Sequence, residues 1–221
     1  LLRHLQTMAY IPDYATLLAF TAAALVLTVT PGPDMTLFMS KTLTQGRRAG
    51  LAAVFGATCG LILHTVLAAI GVSALLSASA LAFTVLKIVG AAYLIYLAVQ
   101  AVRNGSSLAL EAASVKKQPI HRVWLQALGI NILNPKIVLF FVTFLPQFVS
   151  AADPNATGKL MFLGFYFVVL GMPICAAMVL GASAFARFLK SSPKFMRAFD
   201  WAFAGIMGTF ALKLLVAKAN S

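Results

Sequence analysis

Between Leu27 and Met39 an apolar run is cut by Pro31, Gly32 and Pro33, and an acid, Asp34, stands directly behind the cut. Proline withholds an amide and crowds the preceding turn, and a glycine between two prolines lets the chain leave helical geometry. Pro33 suits the first position of a new helix, where the amide it lacks would have no partner anyway. The stretch therefore predicts a discontinuous helix with a carboxylate at its joint. Further along, Asn131-Ile132-Leu133-Asn134-Pro135-Lys136 repeats the plan: Asn134 caps, Pro135 opens the next turn, and Lys136 takes the place held by Asp34. Pro33-Asp34-Met35-Thr36-Leu37-Phe38 and Pro135-Lys136-Ile137-Val138-Leu139-Phe140 share the proline, the charge behind it and Leu-Phe. Matched interruptions in two halves of an apolar chain point to a transport site.

Only 10% of the 221 residues are charged and 61% are hydrophobic. Soluble domains carry about 25% charged residues. An all-α integral membrane protein is expected, forming a single membrane domain over 1–221. The net charge is +12, but the basic residues cluster between apolar segments. There they set orientation and meet anionic lipid, so membrane lipid and not nucleic acid is the expected partner of the charge. Cys59 and Cys175 both lie inside apolar segments, with neither disulfide nor metal-ligand spacing, and no cofactor is expected. The first apolar run is longer than a signal-peptide core and is expected to be retained. Residues 1–7 precede Met8, and the sequence does not assign them to the native chain.

A helix needs about 20 apolar residues to cross the hydrocarbon core. Six such segments are expected, at 14–42 (broken at 31–33), 49–76, 81–102, 123–149 (broken at 134–135), 160–189 and 195–216. Eleven basic residues lie in three connections: Lys41, Arg47 and Arg48; Arg103, Lys116, Lys117 and Arg122; Arg187, Lys190, Lys194 and Arg197. The other side has Arg3, Lys87, Lys159, Lys213 and Lys218. The positive-inside bias makes the three rich connections cytoplasmic and both termini periplasmic. The polar stretch 104–121 is expected to link two three-helix halves, 14–103 and 122–218. Three spans are an odd number, so the halves must face opposite ways, as an inverted repeat.

A carboxylate near the bilayer centre costs about 2.5 to 3.5 kcal/mol on insertion scales, which makes Asp34 and Lys136 functional candidates by default. Asp34 is suited to a substrate ammonium or an exchanged proton; a helix cap or an ion pair with Lys136 are its structural alternatives. Lys136 with the amides freed at Pro135 would suit a carboxylate. His64 follows Gly60 and Gly56 at helical spacing, which turns it toward the bundle, where it either packs or relays protons. A membrane thiol-disulfide carrier using Cys59 and Cys175 and a metal-ion exporter are rival readings. The thiols lack basic neighbours in sequence, and the scattered acids, imidazole and thiols form no ligand set, so no metal is expected.

Several pieces in order resemble the exporter family of the lysine and homoserine/threonine exporters (LysE/RhtB). They are Thr30-Pro31-Gly32-Pro33, Gln45-Gly46-Arg47-Arg48-Ala49-Gly50, Leu86-Lys87-Ile88-Val89-Gly90-Ala91-Ala92-Tyr93-Leu94, Asn131-Ile132-Leu133-Asn134-Pro135-Lys136 and Phe144-Leu145-Pro146-Gln147-Phe148. Gly60-Leu61-Ile62-Leu63-His64 and Ala91-Ala92-Tyr93-Leu94-Ile95-Tyr96 are more similar to the homoserine/threonine branch. The resemblance implies no enzyme but a secondary exporter of amino acids or their derivatives in the bacterial inner membrane, coupled to protons and working by alternating access; homo-oligomerisation stays open. Substrate would be bound by Pro31, Gly32, Pro33, Asp34, Asn131, Asn134, Pro135 and Lys136. Some members carry an acid in the fifth segment where this chain has Gly171-Met172-Pro173-Ile174-Cys175, which leaves Asp34 and His64 as the proton-coupling candidates.

Overall fold

The computed structural model describes residues 10–78, 80–104, 117–150, 153–184 and 193–216, and every regular element among them is helical. Most of the expected linker, 105–116, lies outside the described residues. The first expected span is two helices, α1 (Tyr14–Val29) and α2 (Pro33–Gln45), bent by 49° at the break. Asp13 caps α1, its carboxylate accepting from the Thr16 amide and hydroxyl, which holds its carboxyl below the usual range. The helix stops where Pro31 supplies no amide for the Leu27 carbonyl and Pro33 none for that of Val29. Gly46 then closes α2 at φ +92°, a left-handed conformation that glycine adopts at little cost.

α3 (Arg47–Ala78) is the central post, 32 residues long and packed on α2, α5 and α7. Small residues permit the approach: a Cβ on Gly56 would strike the Trp124 carbonyl, and one on Gly60 the Asn131 side chain. Across the other seam, Gly164 of α7 (Ala156–Leu180) admits Thr65 of α3. α4 (Ala80–Asn104) and α8 (Pro193–Val216) pack chiefly on one another. They stand where the third and sixth spans were expected.

The fourth span is also broken, into α5 (Ile120–Leu133) and α6 (Pro135–Leu139), and the two arms are bent by 50°. Its second arm is less regular than the sequence suggests. Pro146 has no amide to return to Val142, so the chain widens into a π turn (Phe140–Phe144) before tightening into a 3-10 turn (Leu145–Phe148). The fifth span, expected to reach residue 189, is interrupted: α7 ends at Leu180, a turn follows at Gly181, and helix resumes over 182–184, while 185–189 lie outside the described residues. Glycine is a poor helix former and marks the stop. Among the described residues, Arg47–Gly71 and Ala156–Leu180 are long and apolar enough to cross a membrane, and each bent pair makes one more such span.

Two apolar clusters flank the breaks. One gathers Phe20, Phe140, Phe141, Phe144, Leu160, Leu163 and Phe167; the other joins Val54 and Ala57 of α3 to Val123 and Ala127 of α5. At the far end of α2, buried Lys41 donates from Nζ to Gln118 Oε1 at 2.7 Å, and the Gln118 amide donates to Gln45 Oε1 at 2.9 Å. The end of α2 is thereby tied to the segment that enters the second half.

Candidate functional site

The two breaks meet, with α3 and α7 beside them, around a cavity of about 70 Å³. That is room for about five waters, or a small organic ion. Gly32, Asp34, Asn131, Asn134 and Lys136 line it, joined by Thr28, Thr30, Thr58, Phe167, Met172 and Cys175. Pro31, Pro33 and Pro135 set the breaks without lining the cavity.

The charges are not paired with each other. Asn131 and Asn134, both from the second break, donate their Nδ2 groups to Asp34 Oδ2 at 3.0 and 2.9 Å. Lys136 Nζ donates in the opposite sense, to the carbonyls of Leu27 (2.9 Å) and Thr30 (2.8 Å) at the end of α1. Each broken helix thus receives the charged side chain of the other, and no direct ion pair joins Asp34 to Lys136. The Leu27 carbonyl is open because its helical partner would be residue 31, a proline.

What remains unspent defines what the cavity can bind. Asp34 Oδ1 is buried and has no partner. An ammonium has three protons, so Lys136 retains one donor after its two bonds. The hydroxyls of Thr28, Thr30 and Thr58 donate to the carbonyls of Ala24, Val26 and Val54 in their own helices, so their oxygens face ligands only as acceptors. The amides expected to hold an anion at Pro135 are taken: those of Lys136, Ile137 and Val138 all bond to Asn134. Open first-turn amides lie instead on α2, where Thr36 is the first to bond back, to Gly32.

His64 does not line the cavity. Its Nε2 donates to the Asn131 carbonyl at 3.3 Å and its ring stacks on Phe141, with centroids 5.6 Å apart, so it stands behind Asn131. Cys175 reaches the cavity and Cys59 does not; both are free thiols. The carbonyls of Leu27 and Thr30 went unnoticed in the sequence, although the spacing from Leu27 to Pro31 signals the first of them. Thr58, Met172 and Cys175 carried no such signal.

A discontinuous, charge-bearing pair of helices around a small cavity is the setting of a transport protein. The family model of the LysE type translocator matches residues 25–218. The chain belongs to this translocator family. LysE type proteins are transporters, not enzymes. Among curated relatives, a homoserine/homoserine lactone efflux protein of Salmonella typhimurium is 31% identical over 188 residues, covering 85% of this chain and 90% of that one. An uncharacterised membrane protein of Bacillus subtilis, YrhP, is 33% identical, over 89% of this chain and 97% of its own. A leucine efflux protein of Salmonella choleraesuis is 22% identical, over 79% and 82% respectively. No solved structure matches.

Proposed function

We propose that this translocator exports a small zwitterionic amino acid, with an apolar or hydroxyl-bearing side chain, out of the bacterial cytoplasm in exchange for a proton. The observation that carries this reading is the unpartnered, buried Asp34 Oδ1 in a cavity that also holds the Lys136 ammonium. A substrate ammonium and a proton compete for that one oxygen, so binding of either displaces the other, which is the requirement for exchange. The remaining Lys136 proton and the first-turn amides of α2 take the carboxylate. Leu27, Met35, Phe38, Leu61, Phe167 and Met172 offer an apolar bed for a side chain, and the threonine oxygens accept from a hydroxyl.

The names of the relatives, homoserine and leucine efflux proteins, agree with this range of side chains. Alternating access follows from two oppositely facing halves, 14–103 and 122–218, linked by 104–121, in the inner membrane with both termini periplasmic. His64 bonds to the Asn131 carbonyl and stacks on Phe141; its part is to hold Asn131 against Asp34. Cys175 is the other titratable group beside the pair.

Metabolite profiling of cells with and without the protein identifies the leading substrate. Inside-out vesicles with an acidic interior should then accumulate it. Uptake should collapse with an uncoupler and with Asp34→Asn; uptake indifferent to both would overturn the proton-exchange reading.

A further inference from the structure

The end of α1 raises a question that substrate binding does not answer. Why does a half-buried lysine that lines the cavity point at backbone carbonyls and not at the nearby carboxylate? The break itself supplies the reason. The Leu27 carbonyl would bond to the amide of residue 31, which is proline, and the Thr30 carbonyl would bond to that of residue 34, which now belongs to a helix turned by 49°. Both carbonyls lie at the negative end of α1, where the peptide dipoles favour a cation. Away from the main cavity, Lys136 borders a second space, walled by Ala23, Leu27, Leu139, Phe140, Phe144 and Met207, of about 10 Å³. That is room for about one water.

We infer that the open carbonyls of Leu27 and Thr30 form a seat for a monovalent cation, and that the Lys136 ammonium fills it as a tethered ion. In discontinuous membrane helices, unwound carbonyls and half-helix C-termini are the groups that coordinate free Na⁺. Here the cation is covalently part of the opposite half, held at 2.9 and 2.8 Å. In this conformation the seat is filled without a free ion, so transport needs no alkali ion. The positive charge that fixes the end of α1 also travels with the second half whenever the two halves move apart.

Removal of the tether should turn the seat into a site for a free ion. Charge-assisted bonds of this kind contribute about 1.5 to 3 kcal/mol, so Lys136→Ala in proteoliposomes containing choline salts should lose about ten- to a hundredfold of its transport rate. Methylammonium, ammonium or Na⁺ should restore a substantial part of that loss and raise the melting temperature of the purified variant, whereas choline should do neither. The unaltered protein should transport equally in Na⁺ and in choline. Lys136→Met, which keeps the apolar stem, takes over the melting measurement if Lys136→Ala does not accumulate. Na⁺ dependence of the unaltered protein, full activity of Lys136→Ala in choline, or a variant that no small cation stabilises or restores would each overturn the inference. The melting measurement involves no substrate, so it still decides the matter if the proposed export activity fails.

Discussion

The two breaks look alike in sequence and are opposites in chemistry. Both follow a helix with a bend near 50°, and both place a charge directly after a proline. The first presents acceptors: the carbonyls of Leu27 and Thr30 and the carboxylate of Asp34. The second presents donors: the amides of Asn131 and Asn134 and the ammonium of Lys136. Asn134 also spends its own carbonyls on the amides beneath it, so the second break satisfies itself locally, whereas the first depends on the other half. What looks like a repeated motif is thus a complementary pair, and the two cannot be interchanged.

The largest test of this asymmetry is the exchange of charges. Asp34→Asn should lower export at least about a hundredfold, as expected when one member of a buried charged network is removed. If the two charges merely attracted one another, combining Asp34→Lys with Lys136→Asp would restore transport. The geometry predicts no recovery, because a carboxylate at position 136 would face two carbonyls that repel it; vesicle uptake of the double variant decides between the two. Somewhat smaller effects are expected from the donors. Asn131→Ala and Asn134→Ala each remove one of the two bonds to Asp34 Oδ2, and each should cost about tenfold in transport efficiency at equal expression.

The glycines sharpen the comparison further. Gly60→Ala should weaken transport by about tenfold, because its methyl would push the Asn131 amide away from Asp34. Gly32→Ala should stay within about threefold, a change under 1 kcal/mol: its φ of −171° is open to any residue, and its Cβ would sit 3.7 Å from Lys136 in ordinary contact. A severe loss in Gly32→Ala would show that the first break must flex through conformations closed to alanine. The smallest effect lies outside the site. Asp153 is held below the usual carboxylate range by its bond to Lys159 and by the Asn155 amide. Its folded value is depressed, so its contribution is present above the ordinary aspartate value of about 4 and fades as the pH falls below it. For this surface pair the loss in Asp153→Asn should be under about 1 kcal/mol, measured as a small drop in melting temperature at neutral pH that disappears in acid.

The bent helices, and the charges set at their joints, could be read from Pro31, Gly32, Pro33 and Pro135, because a missing amide is a strictly local property. The seam of Gly56, Gly60 and His64 was legible too, since helical spacing alone puts them on one face. Partner choice was not legible. Asp34 and Lys136 are opposite in sign and were natural candidates for each other, yet each found groups of better geometry across the interface. The backbone amides expected to be open at Pro135 are occupied for a similar reason: Asn134 was read as a cap, but not as one that takes the amides of Lys136, Ile137 and Val138. The irregular arm from Phe140 to Phe148 needed one more local observation, that Pro146 breaks the ladder a second time.

The bond from Lys41 to Gln118 gives α2 the character of a lever. One end is the bend at Gly32, beside the cavity; the other is bonded to Gln118, just before α5. Any swing of α2 about that bend would drag residue 118 along or part its bonds to Lys41 and Gln45. Such a motion would reach the segment before α5 as one mechanical event, along a rod of 13 residues instead of through the packed aromatic interior.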